Sequence, residues 1–336
     1  MPSTGLVARA DSGGLGHMTW EFAEHVQVDR AVVIAMGPLL ARGVEDVNRY
    51  RCAREVRVVP FHERDSAVDV WAWLAECAVT YTAETPYTAL LADAVVAAGT
   101  RMVVHAMPEL FRPDECWAAD VWLPTGWRLD DVHRKCPRAR VVPVPIPTER
   151  WDADRRDYTE PRLLHVAAAA MLDRSGTNLL AAALPHVTVP CTIVAVHAPH
   201  LRPTGVVEVE HRPPPGRYWH LYDDVSALIA PRRYGGLSLV LNEAAGAGLG
   251  ALVLDRDPER GYPFVDRVPL DRPTSARMAG GDVFVEQARA QALAAGIDRM
   301  ARDPEQRASL GRQARQWADG MSWGSCRGQI LAALHA

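Results

Sequence analysis

Two stretches of the 336-residue chain bring together residue types that can grip an anion. The first is Asp11-Ser-Gly-Gly-Leu-Gly16, which runs into His17-Met-Thr-Trp-Glu-Phe22. Glycines between an early apolar run and a helix-like segment let backbone N–H groups approach an anion closely, with the helix dipole assisting. The spacing is neither Gly-x-Gly-x-x-Gly nor a P-loop, since no Gly-Lys-Ser/Thr follows. A tight structural turn accounts for the same glycines. The second stretch is Pro231-Arg-Arg-Tyr-Gly-Gly-Leu-Ser-Leu-Val-Leu-Asn-Glu243, continuing as Ala-Ala-Gly-Ala-Gly248. Here an apolar run ends, two arginines follow, and a small-residue turn opens a helix bearing one acid. The amides of Gly236, Leu237 and Ser238 can hold a diphosphate at the helix N-terminus. Arg232 and Arg233 can neutralise it in bidentate fashion. Glu243, acceptor-only when ionised, suits the paired hydroxyls of a ribose. A solvated turn with surface charges is the alternative.

Positioning such groups takes a scaffold, and the hydrophobic pattern supplies one. Short Val- and Ile-rich runs at 6–8, 31–36, 56–59, 102–105 and 141–144, and again at 163–167, 192–196, 206–209, 227–230 and 251–254, read as strands. Amphipathic stretches at 18–26, 68–77, 89–98, 179–183 and 239–247 separate them as helices. Near-continuous apolar strands between helices predict parallel sheets covered on both faces, an α/β fold. The alternating prolines of Val141-Val-Pro-Val-Pro-Ile-Pro147 stop helix and central strand alike and mark a domain boundary. The expected organisation is an N-terminal Rossmann-like, acceptor-side domain at 1–147, a nucleotide-sugar-binding domain at 148–318 and a C-terminal helix at 319–336 that crosses back. Two doubly wound units in tandem would leave a ligand cleft where the carboxyl ends of their strands face each other. Residues 255–280, polar and rich in Pro and Gly, read as a long loop, followed by helices at 285–301 and 304–321.

Composition narrows the function classes. A net charge of -4 argues against a protein coated with a basic nucleic-acid-binding surface. All but one of the 37 basic residues are Arg, the exception being Lys135. The six cysteines are scattered without a Cys-x-x-Cys pair, so reduced thiols of a cytoplasmic protein are expected, and no metal site. No signal peptide or bilayer-length apolar run is visible. Glu84 and Glu109 follow strand ends and can line an acceptor side or serve structure. Asp223-Asp224 reads as a helix cap or surface pair, and His165, in an apolar strand, as a satisfied core histidine.

The second stretch resembles the nucleotide-sugar signature of retaining GT-B glycosyltransferases of family 4, in which Pro-Ser-x-x-Glu-Gly-Phe-Gly leads into a helix with a second Glu. Gly14-Leu-Gly16 is similar to that family's first-domain loop, His105 at the end of Met102-Val-Val-His105 to its pocket histidine, and Ser322-Trp323 to its closing helix. Thr82-Ala-Glu-Thr-Pro-Tyr87 and Pro231-Arg-Arg-Tyr-Gly-Gly236 resemble a subgroup of actinobacteria and tailed phages. The resemblance implies two facing Rossmann-like domains with an interdomain cleft. It implies retaining, metal-independent transfer of a sugar from a nucleotide-sugar donor, with no further cofactor. His105, Arg174 and Arg232 would serve the reaction centre and phosphates. Gly14, Gly16, Arg233, Gly236, Leu237, Ser238 and Glu243 would bind the donor. The acceptor, a modified DNA base, a protein, a glycolipid or a small metabolite, is not identified, nor is the oligomeric state.

Two positions depart from the family pattern. Gly235 stands where the first Glu of Glu-x7-Glu falls, and Ala167-Ala-Ala-Ala170 replaces a phosphate-binding Gly-Arg. Those departures keep a non-catalytic nucleotide-sugar-binding protein in view, beside a sugar-nucleotide epimerase of the same architecture. A NAD-dependent oxidoreductase fits less well, because the glycine spacing and an acid about 20 positions on are missing.

Overall fold

The computed structural model describes residues 2–11, 13–38, 45–114, 116–167, 171–278 and 281–336. Ser12 of the first glycine-rich loop and Ala168, Ala169 and Ala170, the site of the second departure, lie outside the described residues. The chain forms two compact units. One comprises Met1–Pro145 and Trp323–Ala336 with Met278, the other Ile146–Arg277 and Gly281–Ser322.

The first unit runs β1 (Thr4–Arg9), α1 (Gly14–His25), β2 (Arg30–Ala35), β3 (Glu55–Pro60), α2 (Val68–Ala75), β4 (Val79–Glu84), α3 (Ala89–Ala98), β5 (Arg101–Ala106), β6 (Ala119–Leu123), α4 (Leu129–His133) and β7 (Arg140–Val141). Its strands form a seven-stranded sheet in the order β3-β2-β1-β4-β5-β6-β7, each pair parallel. Val7 sits between Val32 of β2 and Thr82 of β4. Leu6, Val7, Val32, Val33 and Ile34 are fully buried, as strands covered on both faces require. Helix ends follow local chemistry. In α3, Thr88 Oγ1 accepts from the Leu90 amide, and Gly99, at φ 66°, closes the last turn onto the carbonyls of Val95 and Val96.

The second unit contains β8 (Arg162–Val166), α5 (Thr177–Ala183), β9 (Cys191–Val196), β10 (Val207–Arg212), β11 (Ala227–Ala230), α6 (Leu239–Gly246), β12 (Ala251–Leu254) and β13 (Val265–Val268). After β14 (Thr274–Met278) and β15 (Gly281–Val285), which pair with each other, come α7 (Ala290–Arg302) and α8 (Pro304–Gly320). The six-stranded parallel sheet has the order β10-β9-β8-β11-β12-β13. A final helix, α9 (Trp323–His335), counts with the first unit, where the edge of Trp323 meets Phe22 and Arg101 donates to the carbonyl of Leu334. Among the described residues no helix is long and apolar enough to cross a membrane.

Strand order in each sheet reverses at one place, between β1 and β4 and between β8 and β11. Chain segments leaving those strands diverge to opposite sides, which opens a mouth at the carboxyl ends. The arginine-rich composition serves the second unit's packing. Arg307, wholly buried, donates to the carbonyls of Tyr158, Thr159, Met300 and Ala301; Arg156 donates to those of Ala247, Tyr222 and Val225, and Arg315 to those of Thr148, Trp151 and Gly246. One planar guanidinium carries five donors, enough to satisfy several carbonyls that helix ends and turns leave over, and Lys does not have that geometry.

Three features differ from the sequence-based expectation. The segment 255–280 is not one loop, because β13 adds an edge strand to the sheet and β14 pairs with β15. Val265-Asp-Arg-Val268 lies at the edge of the sheet, where Asp266 is only half-buried and Arg267 exposed, so polar residues are tolerated. Strands β4 and β6 went unread, since Val79-Thr-Tyr-Thr-Ala-Glu84 puts polar residues at buried positions and the half-buried Asp120 interrupts Ala119-Asp-Val-Trp-Leu123. The expected strand at 141–144 shrinks to Arg140–Val141, cut short by the prolines behind it.

Candidate functional site

The mouth of the second sheet is built from two turns that touch through backbone. Gly176, at φ 72°, precedes α5, and a Cβ there would lie 2.0 Å from the carbonyl oxygen of Pro231. Only glycine permits that approach. Arg233 stitches the turns together: its amide donates to the Arg174 carbonyl (2.9 Å), its Nε to the Glu286 carbonyl (3.0 Å) and its Nη1 to the Leu172 carbonyl (3.1 Å). Arg174 places its guanidinium over the ring of Tyr234, 5.7 Å from the centroid. Arg232 is nearly buried, with Nη1 3.7 Å from Glu259 Oε1. Two of the three expected cations are thus bound up with the turn's own architecture, Arg233 with carbonyls and Arg232 with an acid.

Beyond the arginines, Gly235 adopts φ 105°, which explains the missing carboxylate at this position, since a side chain there would strain the backbone. The amides of Gly236, Leu237 and Ser238 have no hydrogen-bond acceptor among the described residues. Ser238 then caps α6, its Oγ accepting from the Leu241 amide at 3.4 Å. One turn further along, Glu243 is 8% exposed and accepts a hydrogen bond from the hydroxyl of Tyr222 at Oε2. Burial first, and the neighbouring Glu243 carboxylate second, push the Tyr222 hydroxyl well above its ordinary value, so it keeps its proton and donates. The expected diphosphate turn and ribose acid therefore share α6. Sequence reasoning missed Tyr222, Arg256 and Glu259. The latter two, three residues apart in Arg256-Asp-Pro-Glu259, fall in the stretch expected to be a polar loop but are 3% and 2% exposed.

His165 ends in the same sheet as a structural residue. Its Nδ1–H donates to the Ile229 carbonyl and Nε2 accepts from the Thr177 hydroxyl. Burial lowers its pKa to about 4, against a carbonyl hydrogen bond that raises it, so it is neutral at pH 7.

In the first unit, Gly14 is exposed at the first residue of α1, and Gly16 is buried where a Cβ would meet the Asp11 carbonyl oxygen at 1.7 Å. The N-cap, Gly13, makes no side-chain cap hydrogen bond, and no acid lies in the first turn. Arg9 pairs with Asp11, and its Nη1 lies 3.9 Å from Glu84 Oε2. Glu84 and Tyr87 hold left-handed backbone at φ 71° and 67°, and Glu109 is buried. His105 is 2% exposed, with Nε2 2.7 Å from the Val142 carbonyl and Nδ1 2.9 Å from the Tyr81 hydroxyl. A carbonyl only accepts, so Nε2 carries the proton and Tyr81 donates to Nδ1. Burial brings this pKa to about 4 as well. Both ring nitrogens of His105 are in use inside the first unit.

Comparison with known proteins places this geometry on a fold. No family model matches the chain, and no curated protein matches it. Among solved structures, the chain is similar to HepE of Anabaena in complex with UDP, at 14% identity over 99% of both chains and a TM-score of 0.73. It is similar to a glycosyltransferase of Rickettsia africae at 12% identity over 99% of this chain and 98% of that one, with a TM-score of 0.68. Sucrose-phosphate synthase of Thermosynechococcus elongatus matches at 14% identity, 99% and 100% coverage, and a TM-score of 0.63. HepE is also solved with UDP-glucose, at 13% identity and a TM-score of 0.72 over 99% of both chains. The chain has the α/β fold of GT-B glycosyltransferases, with two parallel sheets of seven and six strands.

Proposed function

We propose that the protein is a retaining glycosyltransferase of the family 4 kind, which binds a nucleotide-sugar donor at the mouth of the second sheet and passes the sugar to an acceptor hydroxyl. One observation carries it above the rest. Three successive amides without an acceptor among the described residues, Gly236 to Ser238, lead into a helix whose buried Glu243 is already oriented by Tyr222. Amides suit the diphosphate, and a carboxylate held in one rotamer suits the two ribose hydroxyls. That HepE, of the same fold, is solved with UDP and with UDP-glucose supports the ligand class.

In the reaction the bond from the anomeric carbon to the diphosphate oxygen breaks, and its electron pair leaves with the diphosphate. The acceptor oxygen bonds to the same face of that carbon and gives its proton to the departing phosphate. Charge growing on the diphosphate is stabilised by donors already in place, the amides of the turn together with Arg174 and Arg232. No cofactor beyond the donor enters this scheme. Arg233 acts by fixing the turn, and Gly14 and Gly16 are the residues of the first unit proposed to contact the donor. His105 would reach a donor sugar only by giving up one of its two hydrogen bonds. The charged mouth of the first unit, with Glu84 and Glu109, is the acceptor side.

A thermal-shift panel of UDP, GDP, ADP, dTDP and their sugars tests the ligand class, because a ligand that binds only the folded chain raises its apparent stability. One nucleotide family is expected to stabilise the protein, and stabilisation by none contradicts the proposal. Gly235, which excludes a carboxylate at a position where family 4 has one, favours a second reading as a non-catalytic nucleotide-sugar-binding protein. Transfer of labelled sugar to any acceptor eliminates it, while donor isomerisation without acceptor points to an epimerase.

A further inference from the structure

The turn that opens α6 is gripped from behind by a chain of buried charges. Arg256, just beyond β12, donates Nη2–H to the carbonyl of Gly235 at 2.9 Å and Nη1–H to Glu259 Oε2 at 2.6 Å. The other oxygen of Glu259 faces Arg232 at 3.7 Å, and all three side chains are more than nine-tenths buried. The carbonyl of Gly235 and the amide of Gly236 belong to one planar trans peptide, so they point in opposite directions. Tying the carbonyl to Arg256 therefore aims the Gly236 N–H away from the buried cluster. Gly235 itself adopts φ 105°, a conformation that disfavours any side chain.

We infer that Arg256 and Glu259 are positioning residues for the diphosphate: they orient the 235–236 peptide and hold Arg232, so that amide and guanidinium are fixed before the ligand arrives. Glycine at 235 is then not a lost carboxylate. It exchanges a side chain for an oriented peptide dipole, and the acid that maintains the arrangement sits 24 positions later in the chain. Glu259 spans the two arginines, so the turn and its cation move as one piece. The inference rests on the donor site proposed above.

The test compares a nucleoside diphosphate with its nucleoside. Calorimetry on the full-length protein uses whichever of UDP, GDP, ADP or dTDP binds wild type most tightly, and ligand-observed NMR follows the matching nucleoside. Arg256→Met is expected to weaken the diphosphate at least about tenfold while leaving the nucleoside within about twofold, because Glu243 and Tyr222 are untouched. Arg256→Lys should recover part of the loss, since an ammonium can still donate to the Gly235 carbonyl. Glu259→Gln, which keeps an acceptor for Arg256 but removes the charge beside Arg232, should fall between them and serves as the test if Arg256→Met does not fold. Folded Arg256→Lys and Glu259→Gln proteins with wild-type diphosphate affinity overturn the inference, as does an equal loss of diphosphate and nucleoside. Wild type that binds none of the four diphosphates overturns the donor site itself.

Discussion

The two sheets reverse strand order in the same way and finish the resulting mouths by different means. At the first, charge meets charge: Arg9 pairs with Asp11 and approaches Glu84. At the second, charge is applied to backbone, with Arg233 on the carbonyls of Leu172 and Glu286 and Arg256 on that of Gly235. Both mouths hold non-glycine residues in left-handed backbone, Glu84 and Tyr87 in one, Leu172 and Asp173 in the other. Such residues persist where surrounding structure over-determines them, commonly at binding sites. The difference lies in what is immobilised. At the second mouth arginines hold the carbonyls of Leu172, Glu286 and Gly235, all around one turn, which orients whole peptides, whereas at the first Arg64 holds the carbonyl of Tyr87. On the proposed function, oriented peptides at the second mouth would serve the donor's diphosphate, and the acids of the first would face an acceptor hydroxyl.

The largest expected effects come from the glycines that let each mouth close. Gly16→Ala and Gly176→Ala both drive a methyl into a backbone carbonyl, and each should cost about 4 kcal/mol or more. Hydrogen-exchange mass spectrometry should locate the loosening in the first unit for Gly16→Ala and in the second for Gly176→Ala. A change at Gly176 that leaves β8 and β11 fully protected would break the comparison. Next, Glu243→Ala should lower nucleotide affinity about 10- to 100-fold, as expected for losing hydrogen bonds to a charged group, with circular dichroism unchanged.

A third effect treats the two sheets alike. His105 and His165 are both held neutral, with pKa values brought down to about 4 from 6.5. Below 6.5 the unfolded chain takes up protons that these buried rings refuse. Their contribution is complete above about pH 6.5 and is lost as pH falls toward 4. Between pH 7 and pH 5 each should forfeit about 2 kcal/mol of stability. Urea unfolding of His165→Asn, which carries no titratable ring, should show a shallower fall than wild type, and an identical slope would contradict the assignment. The smallest effect belongs to Tyr222→Phe. It removes the hydroxyl that orients Glu243, for about 1 kcal/mol or some fivefold in nucleotide affinity.

Much of this was legible in the sequence for a physical reason. Fully buried parallel strands need continuous apolar runs, and β2, β9 and β12 have them. The turn proposed for the diphosphate stood out because glycines, arginines and one acid fall at fixed offsets along one short stretch. Strand β4 stayed hidden since Thr80 and Thr82 are polar at wholly buried positions. Tyr222, Arg256 and Glu259 stayed hidden because Tyr222 reaches Glu243 and Arg256 reaches Gly235 from 21 positions away, Glu259 faces Arg232 from further still, and no local pattern links them. The expected arginines show the converse. Arg232 and Arg233 were expected to neutralise a diphosphate, and only the fold reveals that one faces a buried acid and the other holds two carbonyls.

The most direct measurement is calorimetric titration of wild type and Glu243→Ala with the nucleoside diphosphate selected by the thermal-shift panel. Saturable one-to-one binding by wild type, weakened at least about tenfold in the folded variant, is the predicted result. Equal affinity in the two proteins would contradict a donor site built on α6.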